Sequence, residues 1–376
     1  MFRFRKGFIF LISQTNMQDF EKHKHNFFSF LDKICDGENI GIIAHANCVD
    51  GMSSVVFMVE ILKKKYPSIK TNVVFLAYKI GGLDNLQGVY NREKIKKVFV
   101  LDLNVDIDLL DEFENFRKNF DVFFIDHHPL SPKLIMNEKV IKTHAHDCTA
   151  LSIFRFGEEL IDYSVWSWLA CVAAISEFSY KGEENLKFIQ KYYPDFDPKN
   201  VENSKIFQEV SKLNSLVVYY SKESLKAYEL ILNNDSSKIG LINEEVSAEI
   251  DRCLKDFEDN AKDYFNRHLF LYFFKSKFSL GSKLSTIASI KYRGSTIGIF
   301  SEIEGSDMMK FSGRNNGEHL KYSINDMVKA GIAGLSSAIG GGHAPASGAS
   351  FLKKDLEIFK KQIIEFVDSK LKEDNI

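Results

Sequence analysis

The run Ile40-Gly41-Ile42-Ile43-Ala44, followed at once by His45-Ala46-Asn47-Cys48-Val49-Asp50-Gly51, decides how the chain is read. Its unbroken hydrophobicity predicts a strand covered on both faces, as in a parallel sheet. The polar residues after it stand where such a strand gives way to a helix, with Gly51 permitting a sharp turn. Three further runs share its character, Thr71 to Ala77, Lys97 to Leu103 and Asp121 to Ile125, and they alternate with helical stretches from Glu21 to about Tyr180. That alternation predicts βαβ units and an α/β fold with a parallel sheet.

Three of the four strands end directly in polar residues: His45 through Asp50, Asp102 with Asn104, and Asp126-His127-His128. In open α/β sheets ligands bind beyond the carboxyl ends of the strands. Taken singly, Asp50 or Asp102 would serve equally as a helix cap. Packing gives no reason for two adjacent histidines after an acid. Together the strand ends supply His, Asp, Asp and His, enough for two divalent cations. Oxygen ligands with a few imidazoles suit Mn²⁺ or Mg²⁺. Two such ions roughly 3.5–4 Å apart would activate a water and clamp the oxygens of a phosphoryl group.

From Lys181 to Arg267 the pattern is helical, without strand-like runs. The clearest helix carries Val246, Ile250, Cys253, Phe257, Ala261 and Tyr264 at steps of three and four. Beyond it, β-type runs at Leu269 to Phe274, Ser285 to Tyr292 and Thr296 to Phe300 precede a helix from about Ile324 to Ala338. A glycine-rich turn, a short strand ending near Phe351 and a final amphipathic helix follow. The expected organisation is an N-terminal parallel-sheet lobe over 17–180, a helical connector over 181–267 and a smaller α+β lobe over 268–376. In the last lobe, Gly340-Gly341-Gly342-His343 lets backbone N–H groups approach an anion. Arg314 is the candidate for a bidentate phosphate contact.

The 376 residues carry 49 basic and 51 acidic side chains, a net charge of −2, which disfavours a dedicated wrapper of long nucleic acid. With 45% hydrophobic residues the chain is too apolar to be disordered, and no run approaches the ~18 apolar residues of a membrane span. Met1 to Ser13 resembles a signal peptide only poorly, because its apolar run is shorter than the roughly 7–15 residues required. It reads as a first strand, or as sequence ahead of a true start at Met17. The five cysteines are scattered and suggest neither a disulfide framework nor a structural zinc site. The chain reads as cytoplasmic.

His45-x-x-Cys48-x-Asp50-Gly51, Asp102, Asp126-His127-His128 and Gly340-Gly341-Gly342-His343, in this order and with a helical connector, resemble the DHH phosphoesterase superfamily with its DHH-associated C-terminal domain. The resemblance spans about Asn39 to Phe351. That superfamily includes RecJ exonucleases, nanoRNases that degrade very short oligonucleotides, and cyclic-dinucleotide phosphodiesterases. It implies a bilobal enzyme with two Mn²⁺ ions, or Mg²⁺ or Co²⁺ in their place. The implied metal ligands are His45, Asp50, His127 and a bridging Asp102. Asp126 and His128 would be the orienting and substrate-facing catalytic residues. Arg314, Gly341, Gly342 and His343 would clamp the substrate.

Two departures stand out. Cys48 occupies a place where many members have a second aspartate. Glu177, after Cys171 to Ser176, replaces a fourth-motif aspartate and is expected as a further ligand. His144 to Cys148 is read as a loop in which Asp147 caps the helix beginning near Thr149. The implied activity is Mn²⁺-dependent hydrolysis of short oligonucleotides to mononucleotides, as in a nanoRNase-like exonuclease. The alternatives are a cyclic-dinucleotide phosphodiesterase, a RecJ-like single-strand exonuclease and a catalytically impaired nucleotide-binding protein. The near-neutral charge places the short-substrate reading first. The expected partners are short oligonucleotides or cyclic dinucleotides, with no membrane, and a homodimer is compatible with the sequence.

Overall fold

A computed structural model describes residues 19–77, 81–144, 146–317 and 322–373. The strand or start site expected within the first 17 residues lies outside them. The chain divides into two compact units, 1–243 and 244–376. No helix among the described residues is long and apolar enough to cross a membrane.

The first unit opens with helix α1 (19–31). Then come β1 (Asn39–His45), α2 (Val49–Lys65), β2 (Lys70–Leu76), α3 (Gly82–Arg92), β3 (Lys97–Leu101), α4 (Val105–Asp108), α5 (Leu110–Asn119), β4 (Asp121–Asp126) and β5 (Val140–Lys142). The five strands form one parallel sheet in the order β2-β1-β3-β4-β5. The four strands expected from sequence are all present. The three-residue β5 was missed because Val140-Ile141-Lys142 is too short to show a period.

Helices cover both faces, as continuous hydrophobicity requires. On one face Ile43, Val98, Val100, Val122 and Phe124 pack against Tyr90 of α3 and Phe113 and Phe116 of α5. On the other, the rings of Phe99 and Phe123 meet Phe27 and Phe30 of α1. Gly41 lies so close under Tyr90 that a Cβ would stand 2.8 Å from its ring. Helix α2 is buried from Val49 through Val59, which explains its lack of a polar face. The helices α6 (Thr149–Phe156), α7 (Tyr163–Ser176), α9 (Lys205–Tyr219) and α10 (Ser224–Leu232) pack on it, and α8 (Glu183–Tyr192) packs on α7. The order 2-1-3-4-5 changes direction between β1 and β3, and that switch point is where such sheets open a crevice.

Helix α11 (Ser236–Asn260) leads into the second unit. There β6 (Lys262–Tyr264), β7 (Leu269–Phe273), α12 (Gly281–Lys291), β8 (Thr296–Glu302), β9 (Met308–Asn315), α13 (Ile324–Ile332), β10 (Ile339–His343), β11 (Ala346–Leu352) and α14 (Leu356–Glu373) follow. The sheet order is β10-β11-β9-β8-β7-β6, antiparallel except for β7 and β8. Phe359, Ile363 and Val367 of α14 close its core over Phe300, Phe311 and Phe351.

Several expectations change here. Ser285 to Lys291 is helix, with Tyr292 as its C-cap, not strand. Its β-branched Thr286, Ile287 and Ile290 favour a strand locally, but β7 and β8 run parallel and need a crossover, which α12 supplies. The glycines at 340–342 lie in strand β10 rather than in a turn, because they pair with β11. Helix α13 ends at Ile332, since Ala333 is extended and Gly334 has φ 74°. The periodic helix ends at Asn260, and Tyr264 belongs to β6, a strand inside the stretch expected to be purely helical.

Candidate metal centre

The centre is built at the switch point from the ends of β1, β3 and β4. Cys48 is the N-cap of α2: its Sγ accepts the Gly51 N–H at 3.2 Å, while its own S–H is donated to Asp102 Oδ2 at 2.8 Å. Gly51 is required, because a Cβ there would stand 2.4 Å from the His45 carbonyl oxygen. This tight seat drives Asp50 inward until none of it is exposed.

Asp50 is a cap, but of a helix about a hundred residues away. Its carboxylate accepts the N–H groups of Thr149 (2.9 Å) and Ala150 (2.6 Å) and the S–H of Cys148 (3.2 Å). The expected cap of α6, Asp147, instead accepts the His144 N–H at 2.9 Å. A buried carboxylate gains most from the unpaired N–H groups and positive end of a helix N-terminus. Asp50 therefore takes that position and still faces His127 Nε2 at 3.6 Å.

Asp102 sits one residue beyond β3 with φ 52°, a left-handed conformation that Asp tolerates better than most residues. Its N–H is donated to the Ile125 carbonyl at 3.0 Å, which carries the β3–β4 pairing one residue further. The carboxylate then stands 4.0 Å from His45 Nδ1 and 3.3 Å from His127 Nε2. Two sets of donor atoms result, His45 with Cys48 and Asp102, and Asp102 with His127 and His128, each within 4.8 Å. Asp102 belongs to both.

Asp102 Oδ1 and His127 Nε2 face each other at 3.3 Å without hydrogen-bond geometry, and His127 Nδ1 is buried with no hydrogen-bond partner among the described residues. Buried polar atoms are nearly always paired. Such a cluster of orphans on carboxylate and imidazole fits divalent cations. The charges agree. Burial, then the neighbouring Asp50, pushes the Asp102 carboxyl up to about 8. Burial and Asp50 also raise Glu177, which follows α7, to about 7. Burial alone would lower the His127 imidazole, but Asp102, Asp50 and Glu177 outweigh it and raise it to about 10. Burial, helped by His128, lowers His45 to about 4, which keeps it in the neutral, ligating form.

Asp126 and His128 form a second network. His128 Nδ1 lies 2.7 Å from Asp126 Oδ1, so this histidine, expected to face substrate, also stands in the second donor set. The other Asp126 oxygen accepts from Lys142 Nζ at 2.6 Å, and Lys142 also reaches Asp106 at 2.7 Å. Asp106 in turn accepts the Ser131 N–H at 2.8 Å. Lys142 is 3% exposed, and the two aspartates are 0% exposed. Burial would raise Asp126, but His128 and Lys142 hold it down at about 2. Lys142 and Asp106 were not singled out from the sequence. The only available signal was that β5, once paired with β4, sets Lys142 beside Asp126.

The remaining candidates lie in the second unit. Arg314 pairs in register with Ala346, and Ala346 with His343, so the two residues sit in one row across β9, β11 and β10. Arg314 is partly buried, and burial alone lowers the pKa of its guanidinium. Gly342 has φ 148°, and a Cβ there would stand 2.6 Å from the Ala346 carbonyl oxygen. Gly341 meets only Asn325, at 3.8 Å.

These charges have measurable consequences. A carboxyl raised from 3.8 to about 8 binds a proton in the folded state that it releases when unfolded, so it lowers stability progressively as pH rises through that interval. Metal-free Asp102→Asn, whose side chain tolerates the same φ, is therefore expected to match the wild type near pH 4 and exceed it by pH 8 in urea melts. Saturating Mn²⁺, worth about 2.7 kcal/mol at a hundredfold excess over Kd, should stabilise the wild type but not this variant. Lys142→Met leaves two buried carboxylates facing each other and is expected to cost about 3–5 kcal/mol in the same assay. A loss below about 1 kcal/mol, the range of an exposed ion pair, would show that the network is not held by charge.

Residues 39–192 match the model of the DHH family, N-terminal domain. No curated protein matches the chain. Among solved structures, RecJ from Thermus thermophilus in complex with Mn²⁺ superposes with a TM-score of 0.64 at 13% identity, over 93% of this chain and 55% of that one. The chain thus spans little more than half of that protein. A manganese-bound exonuclease RecJ gives 0.65 at 13% identity over 92% and 94% of the two chains. An exopolyphosphatase-related protein from Bacteroides fragilis gives 0.55 at 15% identity over 93% and 98%. At such identities the likeness is one of fold. Residues 39–192 thus carry a DHH-family N-terminal domain.

Proposed function

We propose that the protein is a Mn²⁺-dependent phosphodiesterase that hydrolyses short oligonucleotides to mononucleotides, in the manner of nanoRNases. The observation that carries this reading is the position of Asp102 in both donor sets at the switch point of the sheet. A carboxylate shared in this way suits a pair of divalent ions, which His45, Asp50, His127 and Glu177 would help to hold. When bound, such ions supply Lewis-acid polarisation of a phosphoryl oxygen and lower the pKa of a water. The RecJ structures of the same fold contain Mn²⁺.

The chain's own residues divide the remaining work. Asp126, kept ionised by Lys142, holds His128 by its Nδ1 and raises its pKa against the opposing effect of burial. The raised pKa favours donation of a proton from that imidazole to a phosphoryl oxygen or a leaving alkoxide. Arg314, with the glycine backbone at Gly341 and Gly342 and with His343, binds a substrate phosphate. A chain with a net charge of −2 draws its affinity from such local contacts, which favours a substrate of few phosphates over a long strand.

The test is a screen of the metal-free protein reloaded with Mn²⁺ against pApA, a long single strand and a cyclic dinucleotide. Release of mononucleotides from pApA is expected to be fastest. A preference for the long strand would establish the RecJ-like reading instead, and binding without turnover would establish an impaired, nucleotide-binding protein. His127→Ala should abolish turnover while the circular dichroism spectrum stays native. Separately, Arg314→Ala removes a charged hydrogen bond worth about 1.5–3 kcal/mol, which should raise KM by about ten- to a hundredfold for substrates bearing a terminal phosphate. The effect on substrates without one should be far smaller.

A further inference from the structure

We infer that Cys48 is itself a metal ligand, and that its thiolate makes one of the two ion positions select a borderline-soft cation such as Zn²⁺ or Co²⁺ over Mg²⁺. This rests on the metal centre proposed above, but not on the hydrolysis of any substrate.

The two donor sets differ in chemistry. Asp102 with His127 and His128 offers only oxygen and nitrogen. His45 with Cys48 and Asp102 adds sulfur, again with every donor atom within 4.8 Å. Sulfur shifts affinity toward softer ions, whereas all-oxygen or oxygen-rich sites favour Mg²⁺ and Mn²⁺. One thiolate, one imidazole and one carboxylate are also three protein donors of the kinds that zinc accepts when it keeps a position open for water.

Capping alone does not account for a cysteine at this position. Ser, Thr, Asp and Asn are the favoured N-cap residues, and their oxygens are better acceptors than a thiol. Burial, then Asp102, Glu177 and Asp50, push the Cys48 thiol up in the metal-free protein, so only an entering cation would turn it into an anion. The Gly51 N–H points at Sγ from the first turn of α2. The S–H itself points at Asp102 Oδ2, and the other oxygen of that carboxylate is buried against His127 Nε2, 3.3 Å away, without a hydrogen bond. When an ion enters, the S–H bond breaks, a metal–sulfur bond forms and the proton leaves to water. Asp102 Oδ2 is then released from its hydrogen bond and becomes a ligand as well.

The full-length, metal-free protein titrated with Co²⁺ tests this. The wild type is expected to show the visible ligand-field bands of bound cobalt together with a near-ultraviolet thiolate-to-cobalt charge-transfer band. Cys48→Ser, which keeps a good N-cap and so a native melting curve, should retain the visible bands and lose the charge-transfer band. Cys148→Ser should retain both, although Cys148 also lies beside an aspartate of the centre. In competition, Zn²⁺ should displace Co²⁺ from the wild type with ease and Mg²⁺ should not. In Cys48→Ser the preference for Zn²⁺ over Mg²⁺ should fall by more than the roughly 10–100-fold that loss of an outer hydrogen-bond partner costs. Visible bands without charge transfer in the wild type would overturn the thiolate ligand alone. Charge transfer that survives in Cys48→Ser and vanishes in Cys148→Ser would overturn it in favour of the other cysteine. Absence of any cobalt signal would overturn the metal centre itself.

Discussion

A single buried carboxylate organises the first unit. Asp50 is the second residue of α2, yet it satisfies the N-terminus of α6 through Thr149 and Ala150, and it faces His127 across the centre. Three elements far apart in sequence are thereby tied to one side chain. The interaction is worth more than an ordinary cap. Burying a carboxylate without partners is costly, and the α6 N–H groups, the Cys148 thiol and the His127 imidazole together supply the partners. Gly51 makes the arrangement possible, because any larger residue would push α2 away from the end of β1.

With Asp50 so placed, the other acids are driven to opposite extremes. Asp102 and Glu177 share its apolar, negatively charged surroundings and are pushed up to about 8 and about 7. Asp126 is just as deeply buried but sits against Lys142 and His128, and it is held down at about 2. Environments that separate titratable groups in this way assign them different tasks. The raised acids are those a cation would relieve, and the lowered one is committed to holding a histidine. Lys142 belongs to this division of labour as much as the motif residues do, since without it Asp106 and Asp126 would repel each other in the core.

Much of this was legible in the sequence, for physical reasons. Buried parallel strands advertise themselves by continuous hydrophobicity, so the first four strands and the polar residues at their ends could be read directly. That they meet follows from the general rule for sheets of this order. What escaped was everything decided by pairing across the chain. Asp147 has the right type and position to cap α6, but burial gives that place to Asp50. Lys142 looks like a surface lysine until β5 is laid beside β4. Ser285 to Lys291 has a strand's composition and becomes a helix because its neighbours run parallel. The glycines at 340–342 read as a turn, yet β11 draws them into a sheet.

The backbone devices at the centre bear on how an ion would be held. The close seat at Gly51, the left-handed Asp102 and the long-range cap by Asp50 all position donor atoms through folding alone. The geometry is therefore prepared in advance, while the electrostatics are left unfavourable: two raised acids and orphaned atoms on Asp102 and His127. Strain and unpaired polar groups persist only where the surrounding structure over-determines them. Here that structure is the central helix α2 with its packed neighbours, whose stability offsets the cost. A centre built in this way needs little rearrangement to accept a cation. Its affinity and selectivity then depend on the donors themselves, and the single sulfur among oxygens and nitrogens becomes the residue with the most influence over which ion enters.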